Sequence, residues 1–238
     1  MDGNGKAKFM ITYQPKSINF KYILLLGFIH LTIYLAAVAV AYKLIVIGKI
    51  LEPGPPFIFP ITYALGDVIA EVYGYRIIRN IVWLSLFCEI LYALMITFVV
   101  HLSPAPFWHN QSAYNAVFGN TLRFVVSGFF AVSGSAFINA FLFSKLKILM
   151  HGKFFWIRSA LSSSVGGFFL VAITMALGYA GTISFVQLLK MFFSVYGLEL
   201  IYALILAFPA WWLSGYLKVQ EKIDVYDTNT KFNPFSLK

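Results

Sequence analysis

Pro60-Ile61-Thr62-Tyr63-Ala64-Leu65-Gly66-Asp67-Val68-Ile69-Ala70-Glu71-Val72-Tyr73-Gly74 is the stretch on which the reading of this chain turns. It sets Asp67 and Glu71 four residues apart in a run that is otherwise mostly apolar. On a helix that spacing puts both carboxylates on one face, one turn apart. Acids inside a lipid-embedded helix are costly, which makes them functional candidates by default. Two anions so close in a low-dielectric site also repel, so either a cation neutralises them or one carries a proton. Arg76, Arg79 and Arg123 are the candidate cations.

Composition supports a lipid setting. The 238 residues are 60% hydrophobic and 11% charged, with a mean hydropathy of +0.80. Soluble domains are about 25% charged, and so few charges cannot cover a water-facing surface. An integral, all-α membrane protein is expected. The 25 Phe and 14 Tyr suit lipid contact and interfacial belts. The net charge of +9 sits in short loops and tails. That pattern points to an orientation signal and anionic lipid, not to nucleic acid. Cys88 is the single cysteine, which excludes a disulfide framework and a Cys-based metal site. His30, His101, His109 and His151 lie in separate segments without ligand spacing and read as interfacial or loop residues. No metal or cofactor is expected, apart from a proton as coupling ion.

Spans need about 20 mostly apolar residues. The sequence predicts them at 22–41, 57–75, 81–101, 116–143, 155–177 and 192–217. Residues 183–190 read as a short surface helix, residues 1–21 as an N-terminal tail and residues 218–238 as a polar, mobile C-terminal tail. The weakest span is 57–75, which is short and holds Pro60, Asp67 and Glu71. Counting Lys and Arg tests it. If it crosses, Arg76 and Arg79 join Lys145, Lys147, Lys153, Arg158 and Lys218 on one side, leaving Lys43, Lys49 and Lys190 on the other. The positive-inside rule then gives a bundle of six transmembrane helices with N- and C-termini cytoplasmic. A broken or re-entrant second segment is the alternative, given the prolines before it.

The ionisable residues inside these spans are Asp67, Glu71, Glu89, Arg123 and Glu199. Each reads either as part of an internal ion pair or as a group that meets a solute. A carboxylate can accept two parallel N–H bonds, the pair of donors carried by the amidine edge of a guanine-like ring. Tyr73 and Trp83 are near enough in sequence to stack on such a ring. Ser162 and Ser163 lie in a small-residue run that suits close helix packing and also offers hydroxyls.

These residues resemble the VUT (vitamin uptake transporter) family, whose members include queuosine precursor transporters. The likeness rests on Phe59-Pro60-Ile61-Thr62, Asp67, Glu71, Tyr73-Gly74 and the basic Arg76 and Arg79. It continues through Arg123, Ser127, Ala131, Phe143-Ser144-Lys145-Leu146-Lys147, Trp156-Ile157-Arg158, Ser162-Ser163 and Pro209, covering most of 57–217. The resemblance implies a six-helix importer of 7-cyano- or 7-aminomethyl-7-deazaguanine, or queuine, in the cell inner membrane. It departs from the family at Ala136, Asn139, Gly167, Leu170 and Glu199, positions expected to line a polar pocket. Those departures bear on which heterocyclic solute is read.

The expected solute site therefore comprises Asp67, Glu71, Tyr73, Arg123, Asn139, Ser162, Ser163 and Glu199. Glu71 would bind the ring edge, Asp67 would orient it or carry a proton, and Arg123 would balance charge. The expected partners are a purine-like solute and membrane lipid, with homodimerisation open. A second reading is a substrate-binding subunit of an energy-coupling vitamin uptake system, docking through the small face at 37–41. A third, an intramembrane serine enzyme using Ser133 or Ser135, lacks a positioned base, so no enzymatic activity is expected.

Overall fold

The computed structural model describes residues 20–41, 43–48, 50–179, 181, 183–228 and 230–235. The protein is all-α and membrane-embedded, with one small hairpin. Helix α1 is Ile23–Ala39, followed by β1 (Leu44–Ile47) and β2 (Ile50–Pro53), which pair antiparallel with Leu44 opposite Pro53. A 3-10 turn at Pro55–Phe57 leads into α2 (Pro60–Tyr73) and then α3 (Tyr75–Val100). The short α4 (Gln111–Phe118) precedes α5 (Thr121–Leu149). Helix α6 (Phe155–Thr174) continues as a π turn at Met175–Tyr179, and α7 is Phe185–Glu221.

Four helical stretches are long and apolar enough to cross a bilayer: Tyr75–Val100, Gln111–Leu149, Phe155–Tyr179 and Phe185–Glu221. Their outward faces carry large apolar side chains such as Leu84, Phe87, Leu94, Phe98, Phe193 and Phe208. A continuous apolar exterior of this kind needs lipid. Helix α1 is a shorter apolar helix of 17 residues. Helix α2 has 14 residues, or about 21 Å at 1.5 Å per residue, less than the roughly 30 Å hydrocarbon core. Eleven of those 14 residues are buried, so the other helices enclose α2 and its acids do not face lipid.

Contacts define the two ends of the bundle. At one, the backbone N–H of Tyr22 and the hydroxyl of Tyr73 both donate to Glu221, at 2.8 and 2.7 Å. This joins the start of α1 to the ends of α2 and α7. At the other, buried Glu52 of the hairpin accepts the Ser194 hydroxyl near the start of α7. The six long elements α1, α2, α3, α5, α6 and α7 thus alternate in direction, and both described termini lie at the first end.

Several sequence expectations need correction. Helix α3 begins at Tyr75, not near 81, so Arg76 and Arg79 lie in its first turns. Gly74 makes this abrupt junction possible: its φ of 88° suits a residue without Cβ. The fourth predicted span is interrupted at Gly119-Asn120 and then runs on to Leu149. The separate surface helix at 183–190 does not exist. Helix α7 is continuous from Phe185, opened by a capping box in which Ser184 and Gln187 satisfy each other's backbone N–H. Pro209 lies inside it without ending it, as membrane helices tolerate. His30 is a buried helix residue beside Ser85 (3.3 Å), not an interfacial or loop histidine.

The largest correction concerns the C-terminal tail, which is docked. Lys147 donates to Asp224 Oδ1 (2.6 Å) and to the Val225 carbonyl (2.7 Å). Asp227 accepts the Tyr75 N–H at 2.9 Å, capping the start of α3. Further along, Trp83 Nε1 donates to the Pro234 carbonyl at 2.7 Å, and Arg79 donates to that of Asn233 at 3.3 Å. A polar tail settles here because the helix ends supply donors and acceptors it can satisfy. The N-terminal tail lies outside the described residues up to position 19.

Candidate functional site

The Asp67–Glu71 face of α2 points into the bundle, and the two carboxylates have different surroundings. Glu71, 1% exposed, faces α6 and α7. Arg158 Nη1 donates to its Oε2 at 2.8 Å and Nη2 to its Oε1 at 3.2 Å, while Lys218 Nζ donates to Oε1 at 2.6 Å. Lys147 Nζ stands 3.8 Å away and spends its three protons on the Glu71 carbonyl, Asp224 and Val225. Three cations therefore meet two carboxylates, Glu71 and Asp224, where α2, α5, α6, α7 and the tail converge. The sequence had counted Lys147, Arg158 and Lys218 as loop or tail charges. Arg76, Arg79 and Arg123 are not the partners of Glu71.

Among the described residues, the hydrogen-bond donors to Asp67 are all neutral. Asn139 Nδ2 donates to its Oδ1 at 3.0 Å, and Ser159 and Ser163 hydroxyls donate to its Oδ2 at 2.6 and 3.4 Å. Asp67, Asn139 and Ser163 are thus brought together, with Ser159 as an addition. Ser162 is buried but turned onto its own helix, donating to the Arg158 and Ser159 carbonyls. Tyr73 lies at the tail end, bonded to Glu221, with its ring edge-on to Phe20. Arg123 is exposed in the first turn of α5. It lines a surface recess with Asn120, Phe124 and Tyr179, away from the Asp67–Glu71 face.

A cavity of about 110 Å³ lies toward the hairpin end. Its walls come from α1, α3, α5, α6, α7 and the prolines after the hairpin. They are apolar or aromatic, with Tyr34 and Phe59 among them, except at Glu89, Glu199, Ser127 and Thr174. Glu89 accepts the Tyr34 hydroxyl at 2.6 Å. Glu199 also lines a small gap shared with Tyr63, Ser159 and Ser163, two of which hold Asp67. At the tail end Glu71 and Lys218 border an open vestibule with Lys153 and Ser214. Polar groups therefore run from cavity to vestibule in the order Glu199, Asp67, Glu71. Glu89 was a weak candidate in the sequence because a lone acid in a span can also snorkel to water. Its place on an inward face becomes visible only when α1 packs beside α3. Ala37 and Ala41 also line the cavity, so that part of the small-residue face of α1 is used internally.

The family profile described as "putative vitamin uptake transporter" matches residues 53–213. The chain belongs to this family. The match spans α2 through most of α7 and so includes every group in the polar line, Glu89 and Glu199 with them. No curated protein and no solved structure matches the chain significantly. Membership in a vitamin uptake transporter family and the apolar helices make this a multi-pass membrane protein of small-solute uptake. Among the described residues no group of three or more potential metal ligands occurs.

Proposed function

We propose that this protein is a secondary transporter that imports a queuosine precursor, 7-cyano- or 7-aminomethyl-7-deazaguanine or queuine, across the cell inner membrane. Both termini are cytoplasmic in this reading, because the Lys and Arg of the tail end then lie inside. The observation that carries it is the aromatic-walled cavity joined by Glu199, Asp67 and Glu71 to a vestibule at the opposite end. A flat heterocycle suits walls that include Tyr34 and Phe59. The open carboxylate of Glu199 offers an acceptor to the N–H donors of such a solute.

In this mechanism the solute enters from the hairpin end, where the cavity lies. Release to the tail end requires α2, α6 and α7 to separate around Glu71, Arg158 and Lys218, and the tail to leave Lys147. Asp67, held by neutral donors among the described residues, is the group that carries a coupling proton. Glu71 is thereby reassigned from ring recognition to closing the inner end, since both its oxygens are already engaged.

Uptake of labelled 7-aminomethyl- and 7-cyano-7-deazaguanine into vesicles holding only the purified protein tests the proposal. Accumulation that Glu199→Gln abolishes supports it. Absence of uptake for both compounds, with folded protein in the vesicles, overturns it.

A further inference from the structure

Glu89 on α3 and Glu199 on α7 border the same cavity, and among the described residues neither is paired with a cation. Glu199, 5% exposed, makes no hydrogen bond or ion pair among the described residues. Glu89 satisfies Oε2 through Tyr34 and lays Oε1 against Gly128, 3.0 Å from where a Cβ there would sit. The Ser127 hydroxyl, on a residue 4% exposed, lines the cavity with no hydrogen-bond partner among the described residues. The contrast with Glu71, which holds Arg158 and Lys218, is sharp.

Two carboxyl groups walled by hydrocarbon, with no cation among the described residues to answer them, are neutral only while they hold protons, and a cationic solute can take the place of those protons. A bare metal ion is poorly served, because the cavity holds two acids and no group of three or more potential metal ligands occurs among the described residues. An ammonium group needs fewer oxygens and is also stabilised by aromatic faces such as Tyr34 and Phe59. We infer that the Glu89–Glu199 cavity selects solutes that carry a cationic amino group on a flat apolar body. The inference rests on the reading of this cavity as the solute site and adds the charge of the solute. Among deazaguanines it favours the aminomethyl compound, an ammonium at neutral pH, over the uncharged cyano compound.

The test is binding to purified protein of three probes: 7-aminomethyl-7-deazaguanine, 7-cyano-7-deazaguanine and phenethylammonium. The aminomethyl compound is expected to bind at least about tenfold more tightly than the cyano compound, from the worth of a desolvated charge pair. Glu89→Gln and Glu199→Gln should each shrink that preference. Both variants remove a buried charge, so their thermal unfolding should be unimpaired, which separates lost binding from lost fold. Equal affinity for the two deazaguanines, or a preference that survives both substitutions, overturns the inference and leaves the proposed function standing. Binding of phenethylammonium alone, sensitive to both substitutions, upholds the inference and overturns the deazaguanine reading. No binding by any probe overturns both.

Discussion

Arg158 grips Glu71 with both terminal guanidinium nitrogens, at 2.8 and 3.2 Å, and both side chains are almost completely buried. The two residues are 87 positions apart in sequence and lock α6 to α2. Removing one partner of a buried pair leaves the other charge unanswered. Arg158→Ala is therefore expected to destabilise the protein by about 3–5 kcal/mol. Arg158→Lys keeps the charge but loses the fork and should cost less. Thermal unfolding in detergent reads both. An unchanged midpoint for Arg158→Ala would show that the pair does not hold these helices.

Gly166 and Gly167 are neighbours with opposite tolerance. A Cβ on Gly166 would meet Asn139 Cβ at 3.0 Å and the Ser135 carbonyl at 3.1 Å, while one on Gly167 meets Glu199 at an ordinary 3.6 Å. Gly166→Ala should force α5 from α6 and cost about 1–3 kcal/mol. Gly167→Ala should stay within about 1 kcal/mol of the parent, helped by the helix preference for alanine. Paired unfolding curves decide it, and equal effects would contradict the close approach at Gly166.

Asp67 is the proposed proton carrier, held by Asn139, Ser159 and Ser163. Asp67→Asn cannot exchange a proton at this site. Solute uptake by vesicles of this variant should no longer respond to an imposed pH gradient, while the parent's does. An unaltered response would place proton coupling elsewhere. Ser159→Ala removes the 2.6 Å bond to Asp67 and should lower stability by about 1.5–3 kcal/mol, the range for hydrogen bonds to a charged group.

The tail should undock in acid. Burial alone would raise the Asp224 carboxyl, but hydrogen bonds from Lys147 and Lys218 outweigh it and hold it below the usual carboxylate range. Because the docked value is the lower one, its contribution is complete above the free value of about 3.9. It fades as the pH falls through the lower docked value. Protease cleavage within 223–235 should therefore rise in that acidic window. Asp224→Asn should be cleaved readily at neutral pH. A tail equally protected in parent and variant would remove Asp224 from the docking.

Much of the fold was legible because its signals are local. Apolar length marked α1, α3, α5, α6 and α7, and the positive-charge count supported a crossing at α2 despite its acids. Helix ends were less legible. The continuous start of α7 depends on a capping box, and the α2–α3 break depends on the single backbone angle of Gly74. Of the site, Asp67, Asn139 and Ser163 were named and do meet. Ser162 and Arg123 were named and lie elsewhere, since one turn of rotation or one helix end separates a pocket residue from a neighbour that merely packs.

What the sequence alone determined is the class of environment and the presence of buried charge. So few polar residues demand lipid, and acids on an enclosed helix demand an answer. Which group gives that answer was decided only by the tertiary structure. Arg158, Lys147 and Lys218 reach Glu71 from 76 to 147 residues away, while Glu89 and Glu199 face one cavity without a cation among the described residues. Charge pairing in a low-dielectric interior depends on a few ångströms of separation, and those separations exist only after the helices have packed.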